Sequence, residues 1–198
     1  MQNFLIETGI PDRHLKKAAG LHFEAFSGKV GGILGRDGRG AGFFADIINP
    51  AFGICALSMD RKRLLGIAGF KTADGGLMSG ELADLQKHYG LLGGLWRGLL
   101  LAPLDRPVED DILLMDGIAV IPEMRGCGVG SALLDEVQRE AARRGKANIR
   151  LDVIDTNPRA KSLYERKGFV AAGSQSIGPL RHIFGFNSAT TMLKPVVM

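Results

Sequence analysis

The sequence predicts a single α/β domain built in three layers, and three observations predict it. In the second half, apolar runs of strand length alternate with stretches of helical period, which is the pattern of a sheet covered by helices. The composition, 45% apolar and 23% charged, is that of a folded globular chain. It lies far from the low-hydrophobicity, high-charge balance that leaves a chain disordered. Glycine, with 28 residues, is the compositional outlier, as expected where turns and close backbone approach are frequent. The 198 residues are one domain's worth. With no internal repeat and no linker, residues 1–198 are read as one unit.

Phe4 to Glu7 can make a first strand, and Pro11 and Asp12 open a helix whose apolar positions Leu15, Ala18, Ala19, Phe23 and Phe26 follow a 3.6 period. From Ser27 to Gly42 glycine recurs seven times, as in a mobile loop or a helix pair with a weak middle. Ala51 to Met59 and Leu64 to Phe70, joined by the charged tetrad Asp60 to Arg63, read as a hairpin. Glu81 to Leu101 reads as a helix broken at Gly93-Gly94, ended by the proline-bearing stretch 102–110. Asp111 to Ile121 is a strand and Gly130 to Arg144 a helix with Leu133, Leu134, Val137 and Ala141 on one face. Ile149 to Ile154 is a second buried strand. Pro158 to Lys167 is a short helix capped by Asn157 and closed by Gly168. Phe169 to Ala172 and Ile183 to Leu193 complete the sheet.

Several function classes fall away. Lys plus Arg at 25 against Asp plus Glu at 21 gives +4. That suits an anionic ligand but lacks the dense basic stripe of a nucleic-acid binder, and no recognition motif is present. Two cysteines, Cys55 and Cys127, make neither a disulfide scaffold nor a zinc site, so no metal is expected. The N-terminal MQNFLIETGIPDRH has no cationic start followed by an apolar core, so a cytoplasmic location is expected. The greasiest segment, Gly90 to Pro103, is interrupted by Arg97 and falls short of the roughly 20 residues that span a bilayer.

The chemistry concentrates between the strand ending at Ile121 and the helix near Gly130. There lie Arg125, Gly126, Cys127, Gly128, Val129, Gly130 and Ser131. A helix N-terminus gathers unpaired N–H groups and partial positive charge, and glycines let a phosphate reach them. The segment is neither a Walker loop nor a dinucleotide fingerprint, since it lacks the required lysine and the G-x-G-x-x-G spacing.

With GIAVIPEMRGCGVGSALL followed by LDVIDTNPRAKSLYERKGF, the chain from about Leu113 to Gly173 resembles the GNAT superfamily of acyl-CoA-dependent N-acetyltransferases. The resemblance implies a single-domain GNAT fold, a mixed twisted sheet with helices on both faces. It places the cofactor half at about 111–173 and leaves 1–50 and 81–108 as acceptor-side or packing elements. Arg125, Gly128 and Gly130 fill the family's pyrophosphate loop, together with Gly126, Cys127, Val129 and Ser131. The backbone of Ile118, Ala119 and Val120 would pair with pantetheine where the family splays two strands at a bulge, which Gly117 would ease. Asn157 would reach the CoA chain as well as cap its helix.

The resemblance further implies direct transfer from acetyl-CoA, as co-substrate, to a small-molecule or peptide amine. A protonated amine with a pKa of about 10 must first lose its proton. Asp152 and Asp116 are the candidate bases, with pairing to Arg150 or Lys146 the alternative fate for a strand aspartate. The N–H of Ala119 or a neighbour would hold the oxyanion, and Tyr164 would protonate the departing thiolate unless it only packs in the core. His182 is a lesser candidate for the acceptor pocket, and Lys161, Arg166 and Lys167 for CoA phosphates. Covalent catalysis by Cys127 has no second residue to support it. The competing reading is a CoA-binding regulatory or sensor domain without turnover. The insert's leucines and Trp96 either cover the acceptor cleft, form a homodimer contact or pack on the core.

Overall fold

The computed structural model describes residues 3–35, 37–102 and 108–197. Among them the apolar runs join one sheet of eight strands. In chain order these are β1 (Phe4–Thr8), β2 (Gly53–Ser58), β3 (Leu64–Thr72), β4 (Gly75–Gly76), β5 (Ile112–Val120), β6 (Asn148–Ile154), β7 (Val170–Ser176) and β8 (Ser188–Pro195). The spatial order is β1-β2-β3-β5-β6-β8-β7, with β4 hydrogen-bonded to β3. Only β5 and β6 run parallel; every other pairing is antiparallel.

The helices are α1 (Leu15–Leu34), α2 (Arg39–Ile47), α3 (Leu82–Tyr89), α4 (Leu91–Leu101), α5 (Val129–Arg143), α6 (Pro158–Arg166) and the short α7 (Arg181–Phe184). They lie on both faces of the sheet, and two glycines of β3 show how closely. A Cβ on Gly66 would stand 3.2 Å from Val129 and Leu133 of α5, whereas one on Gly69 would stand 3.4 Å from His22 of α1. The core between them holds fully buried Ile54, Leu57, Leu64, Ile67, Phe70, Leu113, Leu133, Ile149 and Leu151. The expected mixed sheet with two helical layers is the fold observed.

The β2–β3 hairpin turns through the charged tetrad, where the Asp60 carboxylate accepts from Ser58 Oγ at 2.5 Å and from the Lys62 amide at 3.1 Å. The glycine-rich stretch is a helix pair: Gly35 (φ 91°) ends α1 and Gly38 (φ 94°) starts α2. Two expectations are corrected. The insert breaks at Gly90 (φ 78°) rather than at Gly93-Gly94, which lie inside α4. Gly94 is there for proximity, since a Cβ would come within 2.4 Å of the Gln86 amide on α3. The last strand begins at Ser188 and not at Ile183. Residues 178–184 form a 3-10 turn and α7 instead, because Phe184 and Phe186 bury with Ile33 of α1. Asp155 then holds the Asn187 amide at 3.2 Å and fixes where the strand starts. The proline-bearing end of the insert lies in part outside the described residues, at 103–107.

The feature that makes a site is the incomplete pairing of β5 with β6. Their register runs only from Ile112 with Asn148 to Met115 with Leu151. Beyond it Gly117–Val120 pair with β3 alone and Asp152–Ile154 with β8 alone. The two strands therefore diverge. A bulge marks the divergence: Gly117 faces Gly69 and Met115 faces Phe70, so Asp116 is the extra residue.

Candidate active site

The wedge between the diverging strands widens into a cleft of about 590 Å³, a volume typical of small-molecule sites. One wall is the β5 edge. Ile121 donates its amide to Leu65 O on the β3 side at 3.0 Å, and backbone groups alternate sides along a strand. Ala119 therefore also turns its N–H and C=O to β3, while Ile118 and Val120 turn theirs into the wedge. The Val120 carbonyl confirms the phase, since it accepts from Arg125 Nε at 3.2 Å rather than from β3. Of Ala119 and its two neighbours, Ile118 and Val120 are thus the residues whose backbone groups face the cleft.

The floor of the cleft is the turn into α5. Gly126 and Gly128 both hold φ 84°, a left-handed conformation that strains any residue with a Cβ. Gly128 is the N-cap of α5. Its carbonyl takes the first intrahelical bond, from the Ala132 amide at 3.0 Å, so the amides of Val129, Gly130 and Ser131 precede the helical ladder. Those donors and the positive end of the helix dipole make a ready site for a phosphate. Gly126, Gly128, Gly130 and Ser131 line the cleft, with Arg125 beside them. The side chains of Cys127 and Val129 do not. Cys127 is exposed and reduced, its amide tied to Met124 O at 3.3 Å, and Val129 is a core residue.

Tyr164 of α6 also lines the cleft. Its ring is buried against Phe169 at 5.9 Å between centroids, and burial pushes its phenol up to about 12. It therefore stays protonated across the physiological range and keeps a proton to give. No group among the described residues hydrogen-bonds its hydroxyl. The core-packing and acid readings of this residue are compatible, since the same ring packs and lines the cleft.

Asp116 and Asp152 stand on the two strands at the point of divergence, and both line the cleft. Asp152 Oδ1 accepts from Thr191 Oγ1 of β8 at 2.5 Å, and its Oδ2 lies 3.6 Å from the Arg150 guanidinium. Lys146 is engaged elsewhere, donating to Asp110 O at 2.7 Å. Asn157 caps α6 through Oδ1, accepting from the Ala160 amide at 3.1 Å, and it also lines the cleft.

Three candidates stay outside. His182 is an exposed residue of α7 and is not part of the lining. Lys161 is not part of the lining, and Lys167 is bound to Asp135 at 2.7 Å. Arg166 does line it, and so do residues the sequence reading missed: Glu24 and Phe26 of α1 and Arg159 of α6. Phe26 had the signature of a core position, and only the packing of α1 across β5 turns it to the cleft. Arg159 carried a usable signal, being two residues past the capping asparagine and so in the first turn of α6. The basic residues Arg125, Arg159 and Arg166 and the acidic Glu24, Asp116 and Asp152 give the one cleft both an anion-binding and a cation-binding character. Among the described residues no cluster of metal-ligating side chains occurs, and no helix is long and apolar enough to cross a membrane.

Comparison with known proteins places this geometry. The profile of the acetyltransferase (GNAT) family matches residues 43–169. The chain is 39% identical over 56 residues to the thialysine N-epsilon-acetyltransferase of Bos taurus, a match covering 28% of this chain and 33% of that relative. The match thus spans about a third of that relative's length. Among solved structures, an N-acetyltransferase from Staphylococcus aureus Mu50 superposes with a TM-score of 0.69 at 14% identity, over 96% of this chain and all of the other. A GCN5-related N-acetyltransferase from Kribbella flavida superposes at 0.64 with 18% identity, over 98% of each chain. At such identities the likeness is one of fold.

Proposed function

Because the chain belongs to the acetyltransferase (GNAT) family, we propose that it transfers an acetyl group from acetyl-CoA to a primary amine by direct attack. One observation carries the reading above all. The β5 edge at Ile118 and Val120, which has no partner strand on the β6 side, the glycine turn before α5 and Tyr164 line a single cleft. The edge offers a strand-like run of hydrogen bonds to the pantetheine arm, and the turn offers amides to the diphosphate. Arg125, Arg159 and Arg166 add charge of the right sign. The residues present therefore fit the co-substrate, which when bound supplies an activated acyl thioester.

The chain's own groups then divide the work. Asp116 and Asp152 attract the ammonium form of the acceptor and take its proton, directly or through water, since the charged amine is no nucleophile. Negative charge developing on the carbonyl oxygen meets the N–H of Ile118 or Val120, fixed in the sheet before reaction and so requiring no reorganisation. The Tyr164 hydroxyl gives its proton to the departing sulfur. Attack is direct, because Cys127 lies outside the lining. The acceptor is an amine on a small molecule or peptide; the Bos taurus relative bears the name of one such amine, thialysine.

The test is a thiol-release assay with acetyl-CoA and a panel of amines, paired with calorimetry of acetyl-CoA binding. Thiol release stoichiometric with acylated amine supports the enzyme. Binding without release from any amine favours the sensor reading instead, and absence of binding to folded protein removes both.

A further inference from the structure

We propose that the outer face of α4 is the self-association surface through which two copies of this chain form a two-fold dimer. Leu91, Leu92, Leu95, Trp96 and Leu99 are 74, 81, 53, 44 and 76% exposed. At 100° per residue they occupy one arc of α4, and no charged residue interrupts it. The other large apolar side chains that stay exposed away from this helical hairpin, Met59, Val170 and Val197, are far apart in sequence and need no explanation. Taking the lower part of the roughly 150–250 Å² range of aromatic side chains for leucine and the upper part for tryptophan, the arc at these exposures presents on the order of 600 Å². That is at the upper end of what monomers carry, about 300–600 Å², and close to the roughly 800 Å² a standard interface takes from each partner.

The structure also removes two other uses for these residues. No residue of α3 or α4 lines the cleft, so the stripe is not its cover. Their exposure excludes a role in this chain's own core. A membrane is a poor occupant, because surface-binding helices carry Lys and Arg on the polar face. The one basic residue of α4, Arg97, is turned inward, donating to Ile33 O and Gly93 O at 2.9 Å each.

That inward Arg97 does something for the surface. Its guanidinium lies 4.3 Å over the Trp96 ring and 4.2 Å over Tyr89, so the tryptophan is held in place before any partner arrives. A rigid aromatic at the border of an exposed leucine stripe is the kind of residue that anchors a protein interface at low entropic cost. The spacing is self-complementary. Laid antiparallel about an axis at Leu95, Leu91 of one copy meets Leu99 of the other, and residue i meets j wherever j meets i, as two-fold symmetry demands.

Sedimentation of the full chain should give a mass twice 21.2 kDa at tens of micromolar protein, a concentration we take as about 100-fold below what Leu92→Glu with Leu99→Glu would need. That double variant should sediment as a monomer with unchanged far-UV dichroism. Should it fail to fold, Leu95→Cys in a Cys127→Ser background decides. Mild oxidant should link two chains through Leu95→Cys and should not link them through Met59→Cys. A wild-type monomer at every concentration, including one that floats with phosphatidylcholine–phosphatidylglycerol vesicles, overturns the proposal. So does a dimer indifferent to the glutamates, or a Leu95→Cys variant that stays uncrosslinked.

Discussion

The Phe26 ring of α1 lies so close to Gly117 of β5 that a Cβ on the glycine would meet it at 2.4 Å. Both residues line the cleft, Gly117 one position past the bulge at Asp116. The glycine thus sets how near α1 approaches the point where β5 and β6 part. Gly117→Ala should push the aromatic ring aside at a cost of about 1 kcal/mol, the low end for overpacking, because a ring tip can swing. The kinetic effect should fall on the acceptor, with its KM changed several-fold and that of acetyl-CoA little altered. Steady-state kinetics with each substrate varied in turn checks this.

Gly128 has no neighbour within 4 Å of an added Cβ, yet its φ is 84°. Alanine there has room but not the conformation, a strain of roughly 1–2 kcal/mol that the N-cap turn would relieve by rotating its amides. Gly128→Ala should weaken acetyl-CoA binding at least tenfold by calorimetry, while thermal melting moves by only a few degrees. Unchanged affinity would place the diphosphate elsewhere.

Tyr164→Phe keeps the ring against Phe169 and removes only the hydroxyl. The expected loss in kcat is about 10²-fold or more, the range for a positioned general acid, with acetyl-CoA affinity preserved. If only the melting temperature moves, the residue is a packing aromatic and no more.

With Asp116→Asn and Asp152→Asn combined, deprotonation of the acceptor falls to solvent. Turnover at neutral pH should drop at least 10²-fold and climb with pH toward the amine's own pKa, about 10. A pH–rate profile parallel to that of the unaltered chain argues against the carboxylate pair.

His22 gives a stability prediction. It is 2% exposed between Phe26 and Phe44, its Nδ1 has no hydrogen-bond partner, and burial lowers its pKa from 6.5 to about 4. Between those values the unfolded chain binds a proton that the native chain refuses. Stability is therefore full above pH 6.5 and falls as pH drops toward 4, by roughly 3 kcal/mol for a shift of this size. Denaturant melts from pH 7 to 4 should lose that share of their slope in His22→Phe, provided the variant folds.

What the sequence determined by itself was local. Strand and helix runs, the Asn157 cap, the glycine-bearing turn before α5 and the motif around Arg125 and Tyr164 depend on neighbours a few positions away, so periodicity and residue type reveal them. Tertiary structure alone decided the rest. Gly90 and not Gly94 breaks the insert, because one glycine turns the chain and the other lets two helices touch, and a glycine in sequence looks the same for both purposes. Phe26 faces the cleft and Ile118 rather than Ala119 offers it an amide, because strand register and helix placement come from partners far along the chain. The leucines of α4 were written plainly in the sequence, but that they face outward follows from which side of the helix the rest of the chain left uncovered.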